Sequence, residues 1–370
     1  MRLVQRHGRA SVRVLMAGPD PDAFGGISTV ERLMLGQVLS QQEVDVRFVV
    51  THQNGSAALR ARVFLKGAAA VVGLLVTRRA DVLHLHLSER GSVVRKGLLL
   101  HAATILGVPV VLHCHGAEFA DELAVMPAAR RGLVRGVFSR ATQVAVLGEG
   151  MVDTVLFAGA RAGVVRIAPN PVQLPEHVPS RAPSNRVTAL FLGRMSDRKG
   201  ASKLVRAVAL LEPSVRARLQ LRMFGDGPVD EIRALVRELG LRDCVFVGGW
   251  LAPEARDGEL ARADVFVLPS CNEGLPMALL EAMAWGLVPL VTPVGAIPEV
   301  ITHRRNGVLV PPGDILALSL AMADLVGDAD LRARTAAAAR RTAERYDIRG
   351  YLRQWVSVWE ELSCRRGSVG

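Results

Sequence analysis

Two carboxylates, Glu273 and Glu281, stand in an E-x7-E frame within Leu268-Pro-Ser-Cys-Asn-Glu-Gly-Leu-Pro-Met-Ala-Leu-Leu-Glu-Ala-Met-Ala-Trp-Gly286. Pro276 suits the first turn of a helix and Gly286 its end. Glu273 then falls in the loop before the helix, with Gly274 and Leu275 beside it, and Glu281 lies five residues after Pro276, about 7.5 Å along the axis. Carboxylates so spaced can accept from two separated hydroxyl groups of one ligand. Glu281 sits among apolar residues, where an unpartnered carboxylate is rarely found.

A second group of charges is basic. Val187–Leu192 reads as a strand running into Gly-Arg-Met-Ser-Asp-Arg-Lys-Gly, which places Arg194 and Lys199 between a strand's carboxyl end and a helix. Ligands of open α/β sheets bind at that edge. Two cations and a helix N-terminus suit a diphosphate, each full charge pair being worth roughly 4 kcal/mol at 4 Å before desolvation. A solvated basic loop would look the same on this segment alone.

Nearer the start, Phe24-Gly25-Gly26-Ile-Ser-Thr-Val-Glu31 follows a strand. Paired glycines let backbone N–H groups approach an anion, although a plain tight turn uses them too. Ser28 or Thr29 is expected to cap the next helix, with Glu31 near the end of its first turn. The dinucleotide fingerprint G-x-G-x-x-G does not occur in this segment. His84 and His86 share one strand face, as do His113 and His115. No carboxylate or thiol stands at ligand spacing beside them, so no metal is expected there.

Parallel sheets must position these groups. Short β-branched runs (Val12–Met16, Val44–Val50, Val82–His86, Pro109–His113, Gln143–Leu147) alternate with helical stretches rich in Ala, Leu and Arg. That alternation implies βαβ units. Four prolines between Ala168 and Pro179 then break the rhythm, and it restarts with Arg186–Leu192, Gln220–Phe224, Cys244–Val247, Val265–Pro269 and Val288–Thr292. The expected architecture is α/β, two doubly wound domains over residues 1–172 and 186–345. A proline-rich hinge spans 173–185, and an amphipathic tail helix over 346–370, bearing Tyr351, Trp355 and Trp359, docks back on the body.

Composition narrows the function. The chain has 370 residues, 50% hydrophobic and 22% charged, which is ample for two cores. Aromatics are 4%, too few for rows of stacking platforms, so nucleic acid is not an expected partner. The net charge of +11 suits anionic partners. Four cysteines without a C-x-x-C pair point to a reduced, cytoplasmic protein. No span or leader of membrane-crossing type is apparent. Basic stretches at Leu59–Lys66 and Ala128–Arg140 suggest peripheral contact with an anionic membrane surface.

Taken together, EGLPMALLEAMAWGLVPLVTPVGAIPEVI, NGVLVPPGD (Asn306–Asp314), GRMSDRKG and FGDGP (Phe224–Pro228) resemble the retaining GT-B glycosyltransferases of family 4, or group 1. In the first half, FGGISTVERL, His84–Leu100 and VLHCHGAEF (Val111–Phe119) look like the polysaccharide-assembly branch of that family. The resemblance implies two Rossmann-like domains facing across a cleft. A nucleotide-diphosphate sugar donor would lie mainly on the second and a saccharide or lipid-linked saccharide acceptor mainly on the first. It assigns Arg194 and Lys199 to the donor diphosphate, with Gly25 and Gly26 opposite. Glu281 takes the ribose, and Glu273 the donor sugar beside Gly274, Leu275 and Pro276. Gly225, Gly249 and Trp250 fall near the nucleotide, and His115 beside the sugar. Cofactors are none and metal none, since the cations are side chains. One departure is that Arg198 precedes Lys199 where the family pattern has Glu, leaving two candidates for one role.

Two other readings of this architecture remain open at this point: a sugar-nucleotide epimerase, which needs no acceptor, and a catalytically silent partner that only binds nucleotide sugar. The sugar, base, linkage and oligomeric state are not written in these motifs.

Overall fold

The computed structural model describes residues 12–38, 44–89, 91–179 and 184–367. The chain forms two compact units. One runs to Pro171 and takes in the chain again from Ile348; the other is Val172–Asp347.

Among the described residues the first unit carries six parallel strands: β1 (Val12–Pro19), β2 (Val44–His52), β3 (Val82–Leu87), β4 (Val110–Cys114), β5 (Gln143–Val146) and β6 (Val165–Ile167). Their order is β2-β1-β3-β4-β5-β6, so the winding reverses between β1 and β3. Parallel strands covered on both faces commonly read as near-continuous apolar runs. β3 is fully buried but differs: Leu83, Leu85 and Leu87 pack into the apolar core on one face, while His84 and His86 point to the other. That second face is covered by the helix Ile348–Gly367, whose Trp355 and Trp359 rings lie 4.5 and 5.8 Å from His84.

The second unit repeats the architecture with β7 (Val187–Leu192), β8 (Leu219–Phe224), β9 (Val245–Val247), β10 (Val265–Leu268), β11 (Val288–Val291) and β12 (Val308–Leu309). The order is β12-β11-β10-β7-β8-β9, and the switch falls between β7 and β10. All pairings are parallel. The loops that leave β7 and β10 therefore diverge from neighbouring strand ends, which is where an open α/β sheet leaves a ligand crevice. These are the loops holding Arg194–Lys199 and Glu273.

The proline-bearing stretch from Ala168 to Pro179 forms neither helix nor strand, and residues 180–183 of the expected hinge lie outside the described residues. Within the second unit, Val172 N donates to Tyr346 O at 2.7 Å, joining its two chain ends.

Candidate functional site

In the second unit, the helix Met277–Ala284 follows β10 after an eight-residue loop. Pro276 is its N-cap with ψ 127°, one position earlier than the sequence suggests. Pro276 restricts the residue before it to extended backbone, which keeps Glu273–Leu275 out of the helix. Two glycines let the neighbouring loops close on this segment. Gly200, at φ +73°, begins the helix Ala201–Ala209; a Cβ there would sit 2.3 Å from Pro269 O. Gly295, at φ +56°, lies so close that a Cβ would be 2.0 Å from Glu273 O and 2.5 Å from Gly274 O.

The result is a fixed carboxylate. Glu273 is 7% exposed. Its Oε1 accepts from Lys199 Nζ at 2.5 Å and from Ser270 Oγ at 2.7 Å. Ser270 is held in turn, its carbonyl accepting from Thr292 Oγ1 at 2.5 Å. Arg198 turns elsewhere, donating to Asn272 O at 3.1 Å. The two adjacent cations thus reach the same loop by different contacts: Lys199 to the carboxylate, Arg198 to the backbone.

Glu281 faces outward from the helix to Arg256, Oε1 to Nη1 3.0 Å. Arg256, on the helix Pro253–Arg262, is a site residue that the motifs did not indicate. The apolar setting of Glu281 signals that some partner exists but not which arginine. Arg194 is more open and pairs with Asp226 at 2.8 Å. Gly225 N donates to Gly249 O at 3.2 Å, so the FGDGP and Gly-Gly-Trp segments meet, with Trp250 half exposed. Gly274, Leu275 and Pro276 are buried, and Gly274 O accepts from Ala296 N at 2.8 Å.

In the first unit, Gly25 (φ +143°) precedes the helix Gly26–Val38. The expected capping does not occur. Ser28 lies inside the first turn and donates to Asp20 O at 2.8 Å, and Thr29 Oγ1 donates to Gly25 O at 3.1 Å. Glu31 is fully buried beneath Gly18, and desolvation raises its carboxyl well above the usual range. Lys96 is buried near it and donates to Ala17 O at 3.0 Å, with burial pushing its amine down to about 7.

His115 follows β4, and its backbone N donates to Leu87 O at 2.8 Å. Its Nε2 lies 3.0 Å from His86 Nδ1, and burial lowers the imidazole to about 4. Beside it, Trp359 Nε1 donates to His84 Nδ1 at 3.2 Å. Indole is only a donor, so His84, neutral with burial pushing it to about 3, must carry its proton on Nε2. That Nε2–H then donates to His113 Nδ1 at 3.3 Å. Ring nitrogens of His84, His86 and His113 come within 4.8 Å of one another, a spacing that the strand pattern alone did not disclose. Both nitrogens of His84 are already engaged, which makes the cluster a hydrogen-bonded array rather than three open ligands. The two Asp-x-Asp triplets, Asp20–Asp22 and Asp328–Asp330, serve the fold: Asp20 accepts from Asp22 N in a turn, and Asp328 caps the helix Ala329–Ala343.

Residues 173–342 match the family described as glycosyl transferases group 1, and residues 2–171 match the glycosyl transferase 4-like domain. The chain is similar to the alpha-maltose-1-phosphate synthase of Mycolicibacterium smegmatis, 27% identical with 93% of this chain and 97% of that protein covered. It is 30% identical to the 2-deoxystreptamine N-acetyl-D-glucosaminyltransferase of Streptomyces fradiae over 71% of this chain and 66% of that one. An exopolysaccharide phosphotransferase of Streptomyces coelicolor is 32% identical over 54% of this chain, a match spanning only 21% of that longer protein. Among solved structures, sucrose-phosphate synthase from Thermosynechococcus elongatus superposes with a TM-score of 0.78 at 19% identity, covering 96% of this chain and all of that one. Anabaena HepE in complex with UDP superposes with a TM-score of 0.73 at 18% identity, covering 95% of this chain and all of that one. These likenesses show the fold, GT-B.

Proposed function

The chain belongs to the group 1 glycosyl transferases, and from that premise we propose that it transfers a sugar from a nucleotide-diphosphate donor to a saccharide or lipid-linked saccharide acceptor, with retention at the anomeric carbon. The observation that carries this reading is the Lys199–Glu273 pair at the β7/β10 switch, with the Arg256-paired Glu281 further along the helix that follows. Arg194 and Lys199 would neutralise the departing diphosphate, the main electrostatic task of the reaction. Glu273 would accept from donor sugar hydroxyls and Glu281 from ribose hydroxyls.

In the step itself the bond from the anomeric carbon to the diphosphate oxygen breaks, and a bond to the acceptor oxygen forms. The acceptor's proton passes to the leaving phosphate oxygen on the same face. His115, neutral at ordinary pH, would hold a donor sugar hydroxyl by a hydrogen bond and not by charge. With two side-chain cations at the diphosphate, we propose that no metal cofactor takes part. An epimerase reading is less well supported, since named glycosyltransferases and synthases stand among the relatives.

A thermal-shift panel of UDP, GDP, ADP and their sugar conjugates tests this. A ligand at 100 times its Kd stabilises by about 2.7 kcal/mol, a shift of a few degrees. Stabilisation by one base, lost in Glu281→Ala, is expected; no shift with any nucleotide would overturn the reading.

We further propose that the first unit meets an anionic membrane surface from the cytoplasmic side. No described helix is long and apolar enough to cross a membrane. The helix Ala57–Val76 nevertheless exposes Leu65 and Val76 together with Arg60, Arg62 and Lys66, a basic amphipathic pattern. Co-sedimentation with anionic but not zwitterionic vesicles is expected, and its absence would remove the membrane from the picture.

A further inference from the structure

The second unit holds a cavity of about 310 Å³ that the proposed transfer does not use. One wall is the loop around Thr302–Asn306, and the other is the end of the helix Ala329–Ala343 with the turn Glu344–Tyr346. Three guanidinium groups line it: Arg305 from the loop, Arg341 from the helix and Arg345 from the turn. None of the three makes an ion pair or side-chain hydrogen bond among the described residues, and the lining contains one carboxylate, Glu299.

A helix C-terminus favours a cation, which accounts for one arginine there. It does not account for a second at i+4, where like charges repel, nor for a third on the opposite wall. That opposite wall is held rigidly. Asn306 is 6% exposed and spends its whole amide on the fold. Its Oδ1 accepts from Thr302 N at 2.7 Å, and its Nδ2 donates to Val300 O at 2.9 Å and to Thr342 Oγ1 at 3.0 Å. Asn306 thereby ties the loop to the helix and fixes its neighbour Arg305 across from Arg341. Asn306, which opens the NGVLVPPGD segment, thus braces one wall of this cavity.

We propose that the cavity is a second anion site, which takes a phosphorylated ligand of about the size of a sugar phosphate. Guanidinium groups pair with phosphate oxygens in a bidentate fork. A volume of about 310 Å³ stands at the small end of ligand sites, too small for a whole nucleotide sugar. The phosphate enters between the three arginines, and the hydroxylated body lies against Thr302 and Tyr346. The same chemistry is offered by a free sugar phosphate and by the diphosphate head of a lipid-linked saccharide.

Isothermal titration of the full chain with glucose 1-phosphate, and separately with a water-soluble short-chain prenyl diphosphate, tests the proposal with and without saturating donor nucleotide. At least one probe is expected to bind equally well in both conditions. Arg341→Ala/Arg345→Ala is expected to weaken that binding at least tenfold, and Arg305→Ala to weaken it similarly, with nucleotide affinity unchanged. Binding of the first probe alone assigns a free sugar phosphate; binding of the second alone assigns a lipid head. Competition by nucleotide, wild-type affinity in the double variant, or no binding at about 10 mM probe, where even a millimolar Kd would register, would each overturn it. A failure of donor nucleotides to bind would count against the transfer reaction and leave this test readable.

Discussion

Lys199 and Glu273 lie 74 residues apart in the chain and 2.5 Å apart in the fold. Their side chains are 17% and 6% exposed, so each neutralises the other largely out of water. Removing one strands the other, at a cost of about 3 kcal/mol. Lys199→Ala is therefore expected to lower kcat/KM about 100-fold and to lower Tm by several degrees. An unchanged rate would pass the diphosphate role to Arg198, whose guanidinium reaches Asn272 O.

Glu281 owes its orientation to Arg256. Glu281→Ala should abolish nucleotide binding, while Arg256→Ala should only loosen the carboxylate and raise the nucleotide Kd roughly five- to tenfold, as for lost supporting contacts. Equal losses in the two variants would mean that Arg256 itself touches the ligand. Titration of UDP, GDP or ADP into both variants distinguishes the cases.

Gly295→Ala adds one carbon where none fits, 2.0 Å from Glu273 O, at a backbone angle that alanine avoids. Glu273 and Gly274 must shift to accept it. Since a misplacement of about 1 Å at a reacting centre can cost 100-fold, kcat is expected to fall by at least tenfold. Wild-type turnover in Gly295→Ala would show that the loop tolerates movement.

The histidine array makes stability pH-dependent. Burial puts His84 at about 3 and His115 at about 4, and lowers His86 and His113 as well. Between those values and about 6.5 the unfolded chain takes up protons that the folded chain refuses. For these groups stability therefore rises with pH across that window and is level above it, by ~1 kcal/mol per pH unit for each imidazole. Tm should fall between about pH 6.5 and pH 5, and His86→Asn should make the fall shallower. A slope unchanged by that substitution would mean that other groups carry it.

Much of this was legible in the residues. Ten of the twelve described strands announce themselves as short, mostly apolar runs between helical stretches; β6 and β12, three and two residues long, do not. Pro276 marked the helix start to within one position. The burial of Glu31 was not legible, because Ser, Thr and Glu at capping spacing ordinarily face water, and only Gly18 on β1, 13 positions earlier, reveals the space beneath. Arg256 and the Trp359–His84 contact were illegible for a common reason: each partner arrives from an element far along the chain, and pairing across such distances leaves no local pattern. Asn306 was legible as part of a motif, yet its work of bracing a cavity wall appears only once the helix Ala329–Ala343 is in place.

Trp359 closes over His84 from 275 residues away, and this has a consequence for how the protein is made. The first unit is discontinuous: six strands are synthesised, the whole of Val172–Asp347 follows, and only then comes the helix that covers the histidine face. On the ribosome the second unit can be finished while the first still exposes four imidazoles to water. The usual order, in which the N-terminal domain folds first, is thus reversed at the last step, and the unit that begins synthesis is the last to be sealed.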